Sequence, residues 1–127
     1  KNLSGSLKID AWALKYLDCS DNQLTTLDVS GCESLEWLYC YNNKLTSLDV
    51  AGCRSLKWLY CYNNKLTSLD VSGVTNLGDL ECSDNQLTTL DVAGCRSLKW
   101  LECTNNELPK ASKEIIISLL PNCEIIF

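Results

Sequence analysis

The chain has 127 residues, of which 46% are apolar and 21% charged, and its net charge is −5 at pH 7. This length and composition predict one globular domain with a hydrophobic core and exclude a disordered chain. The negative charge argues against nucleic acid as a partner, because phosphate contacts need clustered Lys and Arg, and no apolar run approaches the ~20 residues of a membrane span.

Residues 1–13 are predicted to form an irregular half unit that caps the N-terminal end of the domain. Leu3 lies 21 residues before Leu24, so this segment already shares the spacing of the units that follow. Trp12 is predicted to shield the open end of the core, since the first coil of a stack otherwise exposes apolar surface. The opening letters KNLSGSLKID contain no hydrophobic stretch and do not read as a signal peptide.

Residues 14–108 contain five units that begin 21 residues apart and share one pattern, the fifth extending only to Leu108. Each unit reads L-x-x-L-x-C-x-x-N-x-L, and the first four continue with T-[ST]-L-D-V-[SA]-G-[CV]. The fourteen letters WLYCYNNKLTSLDV occur at 37–50 and again at 58–71. Repetition in phase predicts a solenoid, in which each unit is one coil that cannot bury its apolar face alone.

Each unit is predicted to contribute one strand to a parallel sheet with ~4.8 Å between strands, because L-x-C has the two-residue alternation of a strand. The repeated Asn lies where the chain leaves the strand, and its amide can bond backbone groups that the turn leaves unpaired. The repeated Asp lies on the return path, where a short side chain can cap backbone donors. A cation held along the Asp column is the less favoured alternative.

Residues 109–127 are predicted to cap the C-terminal end with a helix and a strand. Pro109 suits the first turn of a helix that Pro121 ends. An apolar stripe on this helix is predicted to face the core: Ala111, Ile115, Ile116, Leu119 and Leu120. The letters LPNCEIIF then repeat the strand spacing, which predicts a sixth strand at the edge of the sheet.

The pattern over residues 14–108 resembles the leucine-rich repeat family, and within it the bacterial internalin-like subclass, which has 21-residue units and a cysteine at the third apolar position. The resemblance implies a single domain over residues 1–127 with an α/β, mostly β, solenoid fold. Specifically, it implies a right-handed horseshoe with a parallel concave sheet of about six strands and a short C-terminal capping helix. It also favours a bacterial cell-surface or secreted protein, whereas reduced thiols would suit a cytoplasmic one, so localisation stays open.

The nine cysteines are predicted to be free, buried thiols. Five of them form the strand column, and Cys32, Cys53 and Cys95 form a second column in which Val74 takes the remaining place. Parallel side chains in register do not give the torsion angle of a disulfide. A line of sulfurs cannot converge tetrahedrally on zinc, so neither a metal nor another cofactor is expected.

The aromatic residues are predicted to cluster on the concave face, because the outward positions beside each strand carry three of the four Trp and all five Tyr. The candidate ligand-binding residues are Trp37, Tyr39, Tyr41, Trp58, Tyr60, Tyr62, Asp79, Glu81 and Trp100. Exposed aromatic clusters commonly mark an interface, although ring stacking between strands is an alternative reason for them. An acidic border flanks this cluster, with Asp18 and Asp21 on one side and Asp79, Glu81 and Asp84 on the other. This border predicts a partner that carries Lys or Arg.

These features predict a non-enzymatic module that binds a protein or peptide. The chain has no His, which excludes Ser–His and Cys–His nucleophile pairs, and it has no Gly-rich phosphate loop. The near-identical units favour, as an alternative, a structural or designed scaffold without a ligand. A carbohydrate stacked on Trp37 and Trp58, with Asn42 and Asn63 as hydrogen-bonding groups, is another alternative, and self-association through the aromatic face is a third.

Overall fold

The computed structural model describes residues 2–127 as a solenoid of ten short strands and one helix. In chain order the elements are β1 (Ser4–Lys8), β2 (Tyr16–Asp18), β3 (Gln23–Asp28), β4 (Trp37–Tyr39), β5 (Trp58–Tyr60), β6 (Ser68–Asp70), β7 (Asp79–Glu81), β8 (Thr89–Asp91), β9 (Trp100–Glu102), α1 (Lys110–Leu119) and β10 (Glu124–Ile126). The strands are short because each coil bends back into a turn after three to six residues.

Six of these strands form one parallel sheet in the order β2-β4-β5-β7-β9-β10. Residues 21 positions apart lie opposite each other, as Leu38 lies opposite Leu59 and Leu59 opposite Leu80. Ile125 of β10 pairs with Leu101 of β9. The predicted parallel sheet of about six strands, with its sixth strand at the C-terminal edge, is therefore confirmed.

The opposite side of the solenoid carries the return path of each coil. There β6 pairs with β8, and β1 pairs with β3, again in parallel. A single bridge joins Asp28 to Asp49 between these two pairs. The two sides enclose one continuous core of Leu, Cys and Val columns, most of whose members are fully buried.

The repeated Asn faces inward and satisfies backbone groups between coils, as predicted. Nδ2 of Asn64 donates to the carbonyls of Cys40 at 3.1 Å and Cys61 at 3.0 Å, while its Oδ1 accepts from the amide of Leu45 at 3.0 Å. The equivalent residues repeat this arrangement: Asn43, Asn85 and Asn106. Each Asn thereby joins its own strand exit to the preceding coil, which fixes the register of the stack.

The repeated Asp caps the return turn, also as predicted. Oδ1 of Asp28 accepts from the backbone amide of Ser30 at 3.0 Å and from its hydroxyl at 2.7 Å. Asp70 makes the same two contacts with Ser72. These hydrogen bonds favour the ionised form and lower the pKa of both carboxyls below its usual value.

The N-terminal end differs from the prediction in the placement of one residue. The side chain of Trp12 is 74% exposed, so the prediction that it shields the core was wrong. Leu7, on β1, and Ile9, directly after it, pack against the core instead. Because β1 adds a strand beside β3, the end of the core is covered by the alternating side chains of that strand, and the indole stays in solvent.

The helix α1 follows Pro109, which is its N-cap residue, and it packs against β8. Ile116 and Leu120 are buried, whereas Ile115 is 59% and Leu119 48% exposed. The predicted apolar stripe was therefore wrong in part, because the buried line lies one position later on the helix. Leu108, directly before the N-cap residue Pro109, is itself buried. No helix within residues 2–127 has the length and apolar character needed to cross a bilayer.

Candidate binding surface on the concave sheet

The exposed face of the six-stranded sheet carries two rows of side chains that flank the buried Leu of each strand. The first row reads Tyr16, Trp37, Trp58, Asp79 and Trp100, and the second reads Asp18, Tyr39, Tyr60, Glu81 and Glu102. Because side chains alternate across a strand, both rows point away from the core. Neighbours within a row belong to adjacent strands, so each row places its side chains in one line across the sheet.

We call the rings that touch one another on this face the aromatic surface: Tyr16, Trp37, Tyr39, Tyr41, Trp58, Tyr60 and Tyr62. Within it the centroids of Trp37 and Trp58 are 5.1 Å apart and their planes cross at 70°. Tyr16 and Trp37 meet nearly at right angles, at 86° and 5.5 Å. This edge-to-face packing leaves Tyr16 46% and Trp37 40% exposed.

The tyrosines of the second and third units are stacked instead. The rings of Tyr39 and Tyr60 are 4.7 Å apart with planes inclined by 23°, and those of Tyr41 and Tyr62 are 4.6 Å apart and inclined by 6°. The ring spacing is that of neighbouring strands, so the stacking follows from the register. In each pair one ring covers a face of the other, and the pair therefore offers ring edges and hydroxyl groups to a ligand.

A ladder of polar side chains borders the aromatic surface on the turn side. Its members have left-handed backbone angles, with φ between 53° and 58°: Asp21, Asn42, Asn63, Asp84 and Asn105. Asn and Asp tolerate this conformation better than other residues with a side chain. Nδ2 of Asn42 donates to Asp21 at 2.6 Å, and Nδ2 of Asn63 donates to Asn42 at 2.7 Å. The amides proposed to bind a sugar are thus already engaged with their neighbours.

Next to the aromatic surface lies a recess of about 290 Å³, which we call the acidic recess. Its walls are Tyr62, Glu81, Ser83, Asp84, Glu102 and Thr104. The hydroxyls of Ser83 and Thr104 are joined at 3.0 Å. The recess thus combines an aromatic wall, hydroxyl groups and three carboxyls from the fourth and fifth units.

Asp79 connects the aromatic surface to this recess. Its Oδ2 accepts a hydrogen bond from the hydroxyl of Tyr60 at 3.1 Å, while its buried Oδ1 has no hydrogen-bond partner among residues 2–127. Burial raises the pKa of the Asp79 carboxyl, the Tyr60 bond lowers it, and Glu102 raises it further. Burial also raises the pKa of Glu81, and the charges of Asp79 and Glu102 add to that effect.

A larger groove of about 530 Å³ lies on the opposite, convex side, and it is the weaker candidate. It is lined by Ser and Asp side chains of the return turns, including Ser47, Asp49, Asp70 and Ser72. Asp49 and Asp70 already accept hydrogen bonds from the backbone two residues later. Both carboxylates are therefore already engaged in capping their own turns.

The structure brings most of the candidate residues together. The side chains from the repeated fourteen letters form one block, and Asp79 and Glu81 lie directly beside Trp58 and Tyr60 in the register. Trp100 lies beyond Asp79, which separates it from the other indoles. The candidate residues chosen from the sequence did not include Tyr16, whose ring contacts both Trp37 and Tyr39, or Glu102 of the recess, whereas Asp84 was expected in the acidic border. The positions of Tyr16 and Glu102 in the same outward columns were the signal that could have found them.

Comparison with known proteins identifies relatives of this architecture. A family model described as leucine rich repeats in two copies matches residues 12–53 and 33–73. No curated protein sequence matches the chain.

Several solved structures are similar to the chain, among them the following two. The first is a leucine-rich repeat protein of Leptospira interrogans, with a TM-score of 0.84 and 38% identity over 89% of this chain and 31% of that one. The second is the functional domain of InlJ from Listeria monocytogenes, which includes a cysteine ladder, with a TM-score of 0.73 and 43% identity over 75% of this chain and 21% of that one. The chain thus spans about a third or less of the length of these two proteins.

Proposed function

Because the chain is a leucine-rich repeat protein with a cysteine ladder, we propose that its concave sheet binds a protein or peptide through the aromatic surface. Leucine-rich repeat domains generally mediate protein–protein interactions and are typically non-enzymatic. The observation that carries the proposal is the contiguous set of ring contacts from Tyr16 to Tyr62 on one exposed sheet face.

The chemistry of this surface supports a peptide as the ligand. Trp and Tyr provide large contact area at a small cost in side-chain entropy, and they are enriched at the energetic centres of interfaces. Tyr39, Tyr41 and Tyr62 add hydroxyl groups that can bond the backbone of an extended segment, whereas the hydroxyl of Tyr60 already donates to Asp79. The curvature of a solenoid favours a ligand that runs along the concave face.

Carbohydrate binding has less support from the geometry. A sugar was expected to stack on Trp37 and Trp58, but the planes of these two rings cross at 70° and do not form one flat platform. In the pairs Tyr39–Tyr60 and Tyr41–Tyr62 each ring covers a face of its partner. Asn42 and Asn63 hydrogen-bond along their own ladder. These hydrogen bonds would have to break before the two side-chain amides could bind a sugar.

The test is selection of peptides from a phage-displayed random library on the whole chain, followed by binding measurements with variants. Replacing Trp37, Tyr39, Trp58 and Tyr60 together by Ser removes the centre of the aromatic surface. The matched control replaces four exposed residues on the convex side by Ser: Thr25, Thr46, Thr67 and Thr88. Melting temperatures of both variants show whether each remains folded.

We expect the selected peptides to bind the wild type and the convex-side control and to lose binding to the aromatic variant. Peptides that bind a folded aromatic variant as well as the wild type would overturn the proposal. Analytical sedimentation of the wild type and the aromatic variant tests self-association as the alternative. If the wild type is a dimer, the aromatic variant is a monomer and no selected peptide depends on the aromatic surface, the ligand is a second copy of the chain. Binding only on a glycan array would identify a carbohydrate.

A further inference from the structure

We infer that the concave face binds a proline-rich peptide in the polyproline II conformation, which runs across the strands with a proline over every second strand. The inference rests on the proposed function and specifies the peptide that the aromatic surface accepts. Three features of the face support it: the position of its rings in the register, the hydrogen-bonding groups of the rings and the charge beside them.

The rings of the first row recur at every second strand. Tyr16, Trp58 and Trp100 lie on the first, third and fifth strands of the sheet, which are β2, β5 and β9. Parallel strands lie about 4.8 Å apart, so these three residues follow one another at about 9.6 Å. A polyproline II helix has three residues per turn and rises about 3.1 Å per residue, so one turn advances about 9.3 Å. Every third residue of such a ligand can therefore meet one of the three rings.

A ligand in the β conformation does not match this spacing. A strand rises about 3.3 Å per residue and turns alternate side chains to opposite faces, so the side chains on one face recur at about 6.6 Å. This distance lies between one and two strand spacings of the sheet. A strand laid across the sheet therefore loses its register with the rings after the first contact.

The hydrogen-bonding groups of the aromatic surface also suit a polyproline II ligand. The indole N–H groups of Trp37 and Trp58 only donate, and the tyrosine hydroxyls can donate as well. Within residues 2–127, Tyr60 is the one ring of this surface whose polar group donates a hydrogen bond, to Asp79. A polyproline II helix makes no internal hydrogen bonds, so its carbonyls are free to accept, and each proline lacks an N–H that would need an acceptor. Aromatic-lined grooves of other protein domains hold proline-rich segments in this conformation.

The charge beside the rings indicates a basic residue in the same peptide. Asp79 lies between Trp58 and Trp100 in the first row, and Glu81 and Glu102 lie at the same level in the second row. The outward columns of the five units carry no Lys or Arg. A basic residue between the prolines at Trp58 and Trp100 therefore complements the charge of this part of the face.

The experiment uses the synthetic peptide PAAPARP, acetylated and amidated at its ends, as the probe. Its prolines are three positions apart, and its arginine lies between the last two of them. The readout is the set of indole N–H signals of the whole chain, recorded by NMR during titration. We expect the probe to shift the signals of Trp58 and Trp100, while the signal of Trp12, which is 74% exposed outside this face, stays in place.

Two control peptides test the spacing and the conformation. PPPAARA has the same composition, but no two of its prolines are three positions apart. We expect it to bind about tenfold more weakly, because only one proline at a time can meet a ring of the first row. VTVTVRV keeps the length and the arginine but favours the β conformation, and it should give no shift at Trp58 and Trp100. Equal affinity of either control peptide and the probe would overturn the inference.

One variant locates the far end of the site. Trp100 lies outside the aromatic surface, so Trp100→Ala leaves the ring contacts of that surface in place. We expect Trp100→Ala to weaken binding of the probe by about tenfold. Trp12→Ala removes an exposed indole outside the concave face and should leave binding unchanged. Full binding by a folded Trp100→Ala would overturn the inference, and the peptide comparison decides it if this variant unfolds.

The outcomes separate this inference from the proposed function. Library peptides that depend on the aromatic surface, together with equal binding of the probe and its controls, would overturn the polyproline II ligand and leave the proposed function intact. Library peptides that bind the folded aromatic variant as well as the wild type would overturn the proposed function, and the inference would be overturned with it.

Discussion

The hydroxyl of Tyr60 donates to Oδ2 of Asp79 at 3.1 Å, across the boundary between the third and fourth units. Tyr60→Phe removes this donor and leaves both oxygens of Asp79 without a partner among the described residues. We expect the variant to lose about 1 kcal/mol of unfolding free energy, measured by urea denaturation. Tyr39→Phe, in the ring stacked on Tyr60, is the matched control and should change stability less. An equal loss in both variants would contradict the role of the hydrogen bond.

The stability of the protein should depend on Asp79 in a direction set by its raised pKa. Because burial raises the folded-state pKa of Asp79, its ionised form destabilises the fold at neutral pH, and this cost disappears as pH falls through the folded pKa toward the ordinary value of 3.8. Asp79→Asn should therefore be more stable than the wild type at neutral pH, and the difference should vanish below pH 3.8.

Asp70 provides the opposite case for the same measurement. The hydroxyl and amide of Ser72 lower the pKa of Asp70, so its ionised form stabilises the fold above the ordinary value of 3.8 and loses that effect as pH falls further. Asp70→Asn should be less stable than the wild type at neutral pH. Urea denaturation across this pH range checks both signs, and a common sign for the two variants would contradict the assignment.

The inward Asn column should be essential for stability. Asn64→Ala would leave the buried amide of Leu45 without its acceptor, while the carbonyl of Cys40 would keep one donor, Nδ2 of Asn43. We expect a loss of about 2 kcal/mol, because a buried group left unsatisfied costs about 1–3 kcal/mol. Asn76→Ala makes the same chemical change at an exposed turn position and serves as the control. A similar small loss in both variants would show that water replaces the amide.

The orientation of α1 can be tested with two adjacent isoleucines. Ile116 is 2% exposed and Ile115 is 59% exposed. Ile116→Ala should lower the free energy of unfolding by about 2–5 kcal/mol, as expected for truncation of a core residue, whereas Ile115→Ala should cost much less. Thermal or urea unfolding of the two variants gives the comparison. The reverse order would mean that the helix buries the line of Ala111, Ile115 and Leu119 instead.

The cysteines should differ sharply in reactivity in the folded protein. Eight of the nine are buried, and Cys123 is partly exposed. Burial raises the pKa of Cys61 to about 12 and that of Cys53 to about 11, so both remain unreactive thiols near neutral pH. Alkylation by iodoacetamide followed by mass spectrometry should label Cys123 first and all nine only after denaturation. Rapid labelling of the strand-column cysteines in the folded protein would contradict their burial; these are Cys19, Cys40, Cys61, Cys82 and Cys103.

The repeat explains why so much of the fold could be predicted from the sequence. Coils of equal length place residues 21 positions apart on adjacent strands, so Leu38, Leu59 and Leu80 were expected in one buried column, and they form one. The same reasoning placed Trp37 beside Trp58 and Tyr39 beside Tyr60. It failed at the ends, where Trp12 and the stripe of α1 have no equivalent residues in the repeating units.

The sequence by itself determined which residues are neighbours, because a periodic pattern with equal coil lengths admits one register that buries every Leu and Cys. Only the tertiary structure decided how those neighbours meet. The stacking of Tyr41 on Tyr62, the bond from Tyr60 to Asp79 and the unpartnered Oδ1 of Asp79 depend on side-chain rotation, which no spacing encodes. Likewise, the face that α1 buries depends on how the helix packs against β8. This packing occurs once in the chain, so the repeat pattern does not predict it.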